Sequence, residues 1–283
     1  MINMRINNNI GALNTQNQNS VNNNAVANRL EKLSSGKRIN RSADDAAGLA
    51  ISEKMKTQIL GAMQASRNTQ DAVSLIQVAE GGLQSIQGMM QRARELAVQS
   101  ANGTNDNTVD RAALQSEFEN IVAEVDDTAS TTQFNGMNVL DGTNNPIVIQ
   151  AGPNADDTTN IEIDPMTAAA LLGFAGAQYD ASTDANIASS EAASSSLGTL
   201  DNAVNDISMQ RAELGAMQNR LEFRMQALDI QAENATAARS RISDTDMART
   251  MTELTTKNIL QQASNAMLAH ANARPQNVLG MLG

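Results

Sequence analysis

From Leu197 to Ile242 an apolar side chain returns at steps of three and four residues, and few architectures can use such a pattern. Leu197, Leu200, Val204, Ile207, Leu214, Leu221, Met225 and Leu228 carry it, with Ala232, Ala235 and Ile242 beyond. Only Arg211, Gln218 and Arg239 interrupt the row. A period near 3.5 sustained over several heptads is the mark of helices packed along their length with left-handed supercoiling. One long helix cannot bury such a seam alone, so the rest of the chain has to supply partners.

The partners are legible on both sides. Ser42-Ala43-Asp44-Asp45 reads as a helix start, with Ser42 as the cap and Asp45 reaching back from the third position. A helix follows to near Gln99, seamed by Val73, Ile76, Leu83, Ile86 and Met90. About 55 residues at about 1.5 Å each make a rod of about 80 Å. Asn102 to Asn107 form a turn, and Leu114, Phe118, Ile121, Val125 and Thr128 seam a helix that folds back. Turn signals at Phe134-Asn135-Gly136 and Asp141-Gly142 precede Ile147-Val148-Ile149 and Ile161-Glu162-Ile163, a small β-hairpin lying near 134–165. A short connector, 166–186, runs into small polar residues with little capacity for a core. Ile242-Ser243-Asp244-Thr245-Asp246-Met247 is a second helix start, with Ser243 capping, Asp246 closing the box and Ile242 stapled to Met247.

The outermost helices are weaker. Residues 1–33 are Asn-rich, a poor helix composition, yet Ile6, Ile10, Leu13, Val26, Leu30 and Leu33 keep helical spacing. Met247, Met251, Leu254, Leu260, Ala263, Met267 and Ala271 do the same at the other end. The expected fold is therefore mainly α: an elongated antiparallel helical bundle or coiled coil formed by both chain ends, with a small β-hairpin element in the middle.

Composition narrows the chemistry. Aromatics are 2% of the chain, with no Trp, so Leu, Ile, Val, Met and Ala form the core. The prolines at 146, 153, 165 and 275 leave the expected helices free of breakers. Cysteine is absent, and His270 is the one histidine, so neither a thiol nucleophile, a hydrolase triad nor a zinc site has its residues. Asp126-Asp127 and Asp156-Asp157 lack the alternating oxygen ligands of a calcium loop. Gly81-Gly82 sits inside a helix, not between a strand and a helix as a phosphate cradle requires. No catalytic, cofactor-binding or metal residue is expected. The net charge is −11, with a basic start (Arg5, Arg29, Lys32, Lys37, Arg38 and Arg41 against Glu31) and an acidic middle whose one base over 101–200 is Arg111. That balance excludes nucleic acid, and no apolar run is long enough for a membrane helix. The start has no basic-then-apolar leader, so the chain is expected to act in the cytosol or leave by a route without a cleaved signal.

Several stretches resemble bacterial flagellin. Ile6 to Asn14, Leu30-Glu31-Lys32-Leu33-Ser34-Ser35-Gly36-Lys37-Arg38-Ile39-Asn40, Ser42 to Ile51 and Gln91 to Ser100 are similar to its amino-terminal signatures. Thr132-Gln133-Phe134-Asn135-Gly136 resembles the turn before its hairpin, and Ala237 to Ala248 its carboxy-terminal signature.

The resemblance implies that residues 1–41 and 248–283 pair as an inner terminal coiled coil, disordered in the monomer, and that 42–247 form the surrounding rod. It implies an extracellular filament subunit of the swimming flagellum, polymerising with itself and exported through the flagellar secretion channel. Implied partners are the filament cap protein, the hook–filament junction protein, an export chaperone at the carboxy-terminal segment and the host Toll-like receptor for flagellin. Arg92 and Leu96, four apart on one helix, and Glu117 on the next match the receptor-contact and assembly patch of the family. A hook–filament junction protein, or another helical component of a secretion system, is the alternative.

Overall fold

The computed structural model describes residues 8–106, 109–173 and 186–282. In chain order the elements are α1 (Ile10–Ser35), α2 (Ala46–Ala101), α3 (Asp110–Thr131), β1 (Gln133–Phe134), β2 (Met137–Asn138), β3 (Ile147–Gln150), β4 (Thr158–Ile161), α4 (Ala168–Leu172), α5 (Ser190–Ser243) and α6 (Met247–Leu282). Two compact units result: Ile59–Ala232, and the two chain ends together as Met1–Gln58 with Glu233–Gly283. Sequence placed the divisions near 41 and 248. The structure draws them inside α2 and α5, because the turn before α2 and the end of α5 are bonded to the terminal helices, as at Lys32–Asp44 (3.2 Å) and Arg38 to the Ile242 carbonyl (2.6 Å).

In the unit Ile59–Ala232 the heptad row of α5 faces inward. Leu200, Ile207, Leu214, Leu221 and Leu228 are buried, and Leu197, Val204 and Met225 are half-buried beside them. Ile76, Leu83, Ile86, Met90 and Leu96 of α2 and Phe118, Val122 and Val125 of α3 complete this core, while Leu228 packs with Ala62, Ala65 and Ala232 in a second cluster. Helices α2 and α5 run antiparallel, as shown by Arg94–Asp201 (2.5 Å) and Ser66–Asp229 (3.1 Å). Arg211 interrupts the apolar row without leaving the interface: it donates to Gln87 (2.5 Å) and pairs with Glu80 (3.4 Å) on α2. Gln218 donates to Glu222 one turn on (3.1 Å).

Arg111 is 5% exposed and bonds to the carbonyls of Ser100 and Asn102, both at 2.9 Å. A cation there satisfies carbonyls that the end of α2 leaves without helical partners. Ile187, fully buried, is held beside them, its N–H donating to Gln115 Oε1 (2.8 Å) and its carbonyl accepting from the Ser100 hydroxyl.

Two antiparallel ribbons lie between α3 and α5 in sequence. Asn135 (φ 51°) and Gly136 (φ 79°) turn β1 into β2, the left-handed pair that a two-residue hairpin requires. Gly82 lets this region approach α2, since a Cβ there would lie 2.7 Å from Leu140 Cδ1 and 2.9 Å from Thr132 Oγ1. Strand β3 pairs with β4 from Ile147↔Ile161 to Gln150↔Thr158. The second strand is thus Thr158–Ile161 rather than 161–163; Ile163 follows it and is buried outside the ladder. The expected connector also departs from expectation where it is described. Met166, Ala168, Leu171 and Leu172 join the core, Ala168 N–H donates to Asp126 (2.7 Å), and residues 174–185 lie outside the described residues.

In the unit made by the chain ends, α1 lies antiparallel to α6, with contacts progressing from Asn9–Ala271 to Arg29–Glu253. Pro275 stands inside α6, contrary to the expectation of breaker-free helices. Proline there removes one backbone donor from the ladder.

Candidate assembly surfaces

The seam between α1 and α6 is polar. Asn9 caps α1 by accepting from Ala12 N–H (3.1 Å), and its Nδ2 donates to the Ala271 carbonyl (2.8 Å). Asn19 donates to Asn265 (2.8 Å), Asn22 to Ser264 (2.8 Å) and Gln261 to Asn23 (2.7 Å). Asn22 is 4% exposed, the most buried side chain of α1. An amide at such a position fixes register at a cost in stability, each bond contributing about 1 kcal/mol net. Much of the apolar rows that sequence placed in this seam points away from it, although Val26 and Leu33 of α1 are half-buried and Ile6 lies outside the described residues. Ile10, Leu13 and Leu30 of α1 and Met251, Leu260 and Met267 of α6 are all exposed, Leu13 at 63% and Met267 at 58%. Of the expected α6 seam, Leu254 and Ala271 turn partly inward.

The breaks beside these helices clasp each other. Lys37 and Asp244 form a β-bridge, Arg38 N–H donates to the Ser243 carbonyl (2.7 Å) and Thr245 N–H to that of Gly36 (3.0 Å). Backbone N–H donation from Asn40 holds the Asp44 carboxyl below the usual range against the opposing effect of burial, with Arg41 N–H and the Lys32 ammonium adding to it. The hydroxyls of Ser240 and Ser243 do the same for Asp244.

The caps of α2 and α6 are shifted in the same way from the sequence expectation. Ser42 lies in the turn, and Asp45 is the residue that caps, accepting from Gly48 N–H (2.9 Å). Ser243 ends α5 and donates to Asp244 (2.8 Å), while Asp246 caps α6 by accepting from Arg249 N–H (3.1 Å). A carboxylate outcompetes a hydroxyl at the positive end of a helix, which moves each start three residues on. Met247 is exposed, and the hydroxyls of Thr245 and Thr250, 3.0 Å apart, stand where a hydrophobic staple would.

Arg92 and Glu117 meet on the surface of the Ile59–Ala232 unit, 2.7 Å apart, with Glu95 also on Arg92 (3.1 Å). Glu117 first, then Glu95, raises the guanidinium above its ordinary value. Leu96 does not join them at the surface. It is 0% exposed, because α3 and α5 cover that side of α2 and draw Leu96 into the core with Ala93 and Ala97. Sequence analysis did not anticipate the Arg94–Asp201 pair, which the antiparallel register of α2 and α5 creates. Among the described residues, no three acidic or His side chains gather as a metal site would need, and no helix is long and apolar enough to cross a membrane.

Known proteins share this plan. Residues 6–145 match the bacterial flagellin N-terminal helical region, and residues 197–282 match the bacterial flagellin C-terminal helical region. Flagellin of Bacillus subtilis (strain 168) is 47% identical over 303 residues, with 99% of this chain and 100% of that protein covered. The flagellar filament 30.7 kDa core protein of Treponema maltophilum is 45% identical over 286 residues, at the same coverage. A putative flagellar hook-associated protein from Vibrio parahaemolyticus has a TM-score of 0.57 over 71% of this chain and 100% of that chain; at 14% identity it shows the fold alone. Identity at this level over full length favours a filament subunit over a junction protein. The chain thus belongs to the bacterial flagellin family, the subunits that build the flagellar filament.

Proposed function

We propose that the outward apolar rows of α1 and α6 are the surfaces through which copies of this chain assemble, and that its role is structural and not catalytic. One observation carries this: the terminal pair keeps amides in its seam and exposes Leu13, Leu30, Ile259 and Met267. A pair built for itself would do the reverse. Burying such rows against neighbouring copies offsets the entropy of ordering weak helices. Leu13→Asp and Met267→Asp should each abolish filaments grown with ammonium sulfate and imaged in negative stain, with unchanged circular dichroism of the monomer. Normal filaments from both variants would contradict the assignment. Export without a cleaved signal, and engagement of a chaperone, a junction protein and a cap protein, rest on family membership.

A second surface is favoured by the Arg92–Glu117 pair, which is exposed and joins two helices. We propose it as the contact for the flagellin-sensing Toll-like receptor, with Leu96 as support beneath rather than as the anchor. Arg92→Ala and Glu117→Ala should raise the half-maximal monomer concentration in a receptor reporter assay without changing the melting temperature. Leu96→Ala should lower the melting temperature, as a cavity in a core does, at a cost of about 2–5 kcal/mol. Unchanged signalling by both charge variants would remove the patch.

A further inference from the structure

Two asparagines in the chain are followed by glycine, at Asn102-Gly103 and Asn135-Gly136, and one aspartate is, at Asp141-Gly142. Such pairs are chemically labile, because glycine has no side chain to keep its backbone nitrogen from the side-chain carbonyl of the residue before it. The fold treats the three differently. Asp141 has its carboxylate taken up by Asn138 Nδ2 (2.9 Å) and by the Thr143 N–H (3.0 Å) and hydroxyl (2.7 Å), and an ionised carboxylate resists attack by a nitrogen. Asn135 and Gly136 form the left-handed corner between β1 and β2. Turning the peptide between them toward the Asn135 side chain pulls against the pairing of Phe134 with Met137.

Asn102-Gly103 has no such protection. It lies in the exposed turn after α2, outside the ladders, and a Cβ at Gly103 would meet nothing within 4 Å. The Asn102 side chain folds back on its own backbone, its Oδ1 accepting from Thr104 N–H (3.3 Å). This turn holds the side-chain carbonyl beside the Gly103 peptide, and a donor on Oδ1 supports negative charge that develops there. The main-chain carbonyl of Asn102 accepts from Arg111 Nη2 (2.9 Å). That carbonyl and the Gly103 N–H belong to one conjugated peptide group. A cation on the oxygen therefore draws electron density from the nitrogen and makes its proton easier to lose.

We infer that Asn102 is a site of spontaneous deamidation, prepared by its own turn and by the buried Arg111. The Gly103 N–H gives its proton to a solvent base, and the nitrogen bonds to Asn102 Cγ. The Cγ–Nδ2 bond breaks, and the amide leaves as ammonia with a proton from water. A second step adds water to one carbonyl carbon of the cyclic imide and breaks that carbon's bond to the Gly103 nitrogen. The net change is water taken up and ammonia released, with no oxidant or reductant. Addition at the main-chain carbonyl, the one Arg111 holds, leaves an isoaspartate whose new α-carboxylate faces the guanidinium. Arg111 thus favours isoaspartate over aspartate. Either product adds a negative charge to a chain already at −11, and the change accumulates with the age of the molecule.

Full-length protein held in mildly alkaline buffer, then digested and mapped by mass spectrometry, provides the test. The peptide holding Asn102 should exchange its amide for a carboxyl about tenfold or more faster than the peptide holding Asn135, since the hairpin reacts only when open. In guanidinium chloride, where neither turn persists, the two should react at similar rates. The isoaspartyl share at Asn102, read as resistance to an aspartate-specific protease, should be higher in the folded protein than in the denatured one. Gly103→Ala should suppress the reaction without changing the melting temperature, because Gly103 has open space around it and no positive φ. Equal rates at Asn102 and Asn135 in the folded protein, or a rate at Asn102 that rises on denaturation as much as that at Asn135, would overturn the site. An isoaspartyl share unchanged by denaturation would remove the part assigned to Arg111.

Discussion

Four residues show where side-chain chemistry decides local structure. Ser42 and Asp45, and again Ser243 and Asp246, offer a hydroxyl and a carboxylate three residues apart, and in both places the carboxylate begins the helix. The sequence motif admits either start, and the choice is electrostatic. Asp45→Ala and Asp246→Ala should each cost about 1 kcal/mol in thermal melts, and Ser42→Ala almost nothing. Equal effects from Ser42→Ala and Asp45→Ala would restore the starts as read from sequence. Leu96 makes the complementary point. Arg92 and Leu96 share a side of α2 by their spacing of four, but only the positions of α3 and α5 decide that the one reaches water and the other does not.

At the scale of elements, legibility followed the strength of the pattern. The α5 seam stands out in the sequence because leucine and isoleucine recur there in one register, and long helices and a β-ribbon are what the chain forms. Leu221→Asp should therefore unfold much of the helical signal, and Leu221→Ala should cost about 2–5 kcal/mol, whereas substitutions in exposed turns should alter melting little. Melting of Leu221→Asp at the wild-type temperature would show the seam to be misplaced. The terminal helices were harder to read. The same steps of three and four fit Ile10 and Leu13, and fit equally Asn9, Ala12, Thr15, Asn19 and Asn22. Which row faces inward depends on the partner helix, and here the amides of α1 find Asn265, Ser264 and the Ala271 carbonyl. The end of the hairpin departs from the sequence pattern for a related reason: Thr158 and Thr159 pair in the ladder although their polarity sets them apart from Ile161 and Ile163.

For the whole molecule, the two units differ in how they are held. The Ile59–Ala232 unit has a large apolar core and a second, smaller apolar cluster, while the unit of the chain ends relies on hydrogen bonds between side-chain amides, the clasp and ion pairs such as Arg29–Glu253. Exposed pairs of this kind contribute at most about 1 kcal/mol each. Helices with so little buried apolar area are marginal until something covers them. The central claim is that neighbouring copies provide that cover. Amide hydrogen exchange over residues 10–35 and 247–276, compared between dilute monomer and filament, tests it most directly. The account predicts fast exchange in the monomer and strong protection in the filament, with residues 72–97 protected in both. Strong protection of the terminal helices in the isolated monomer would contradict it.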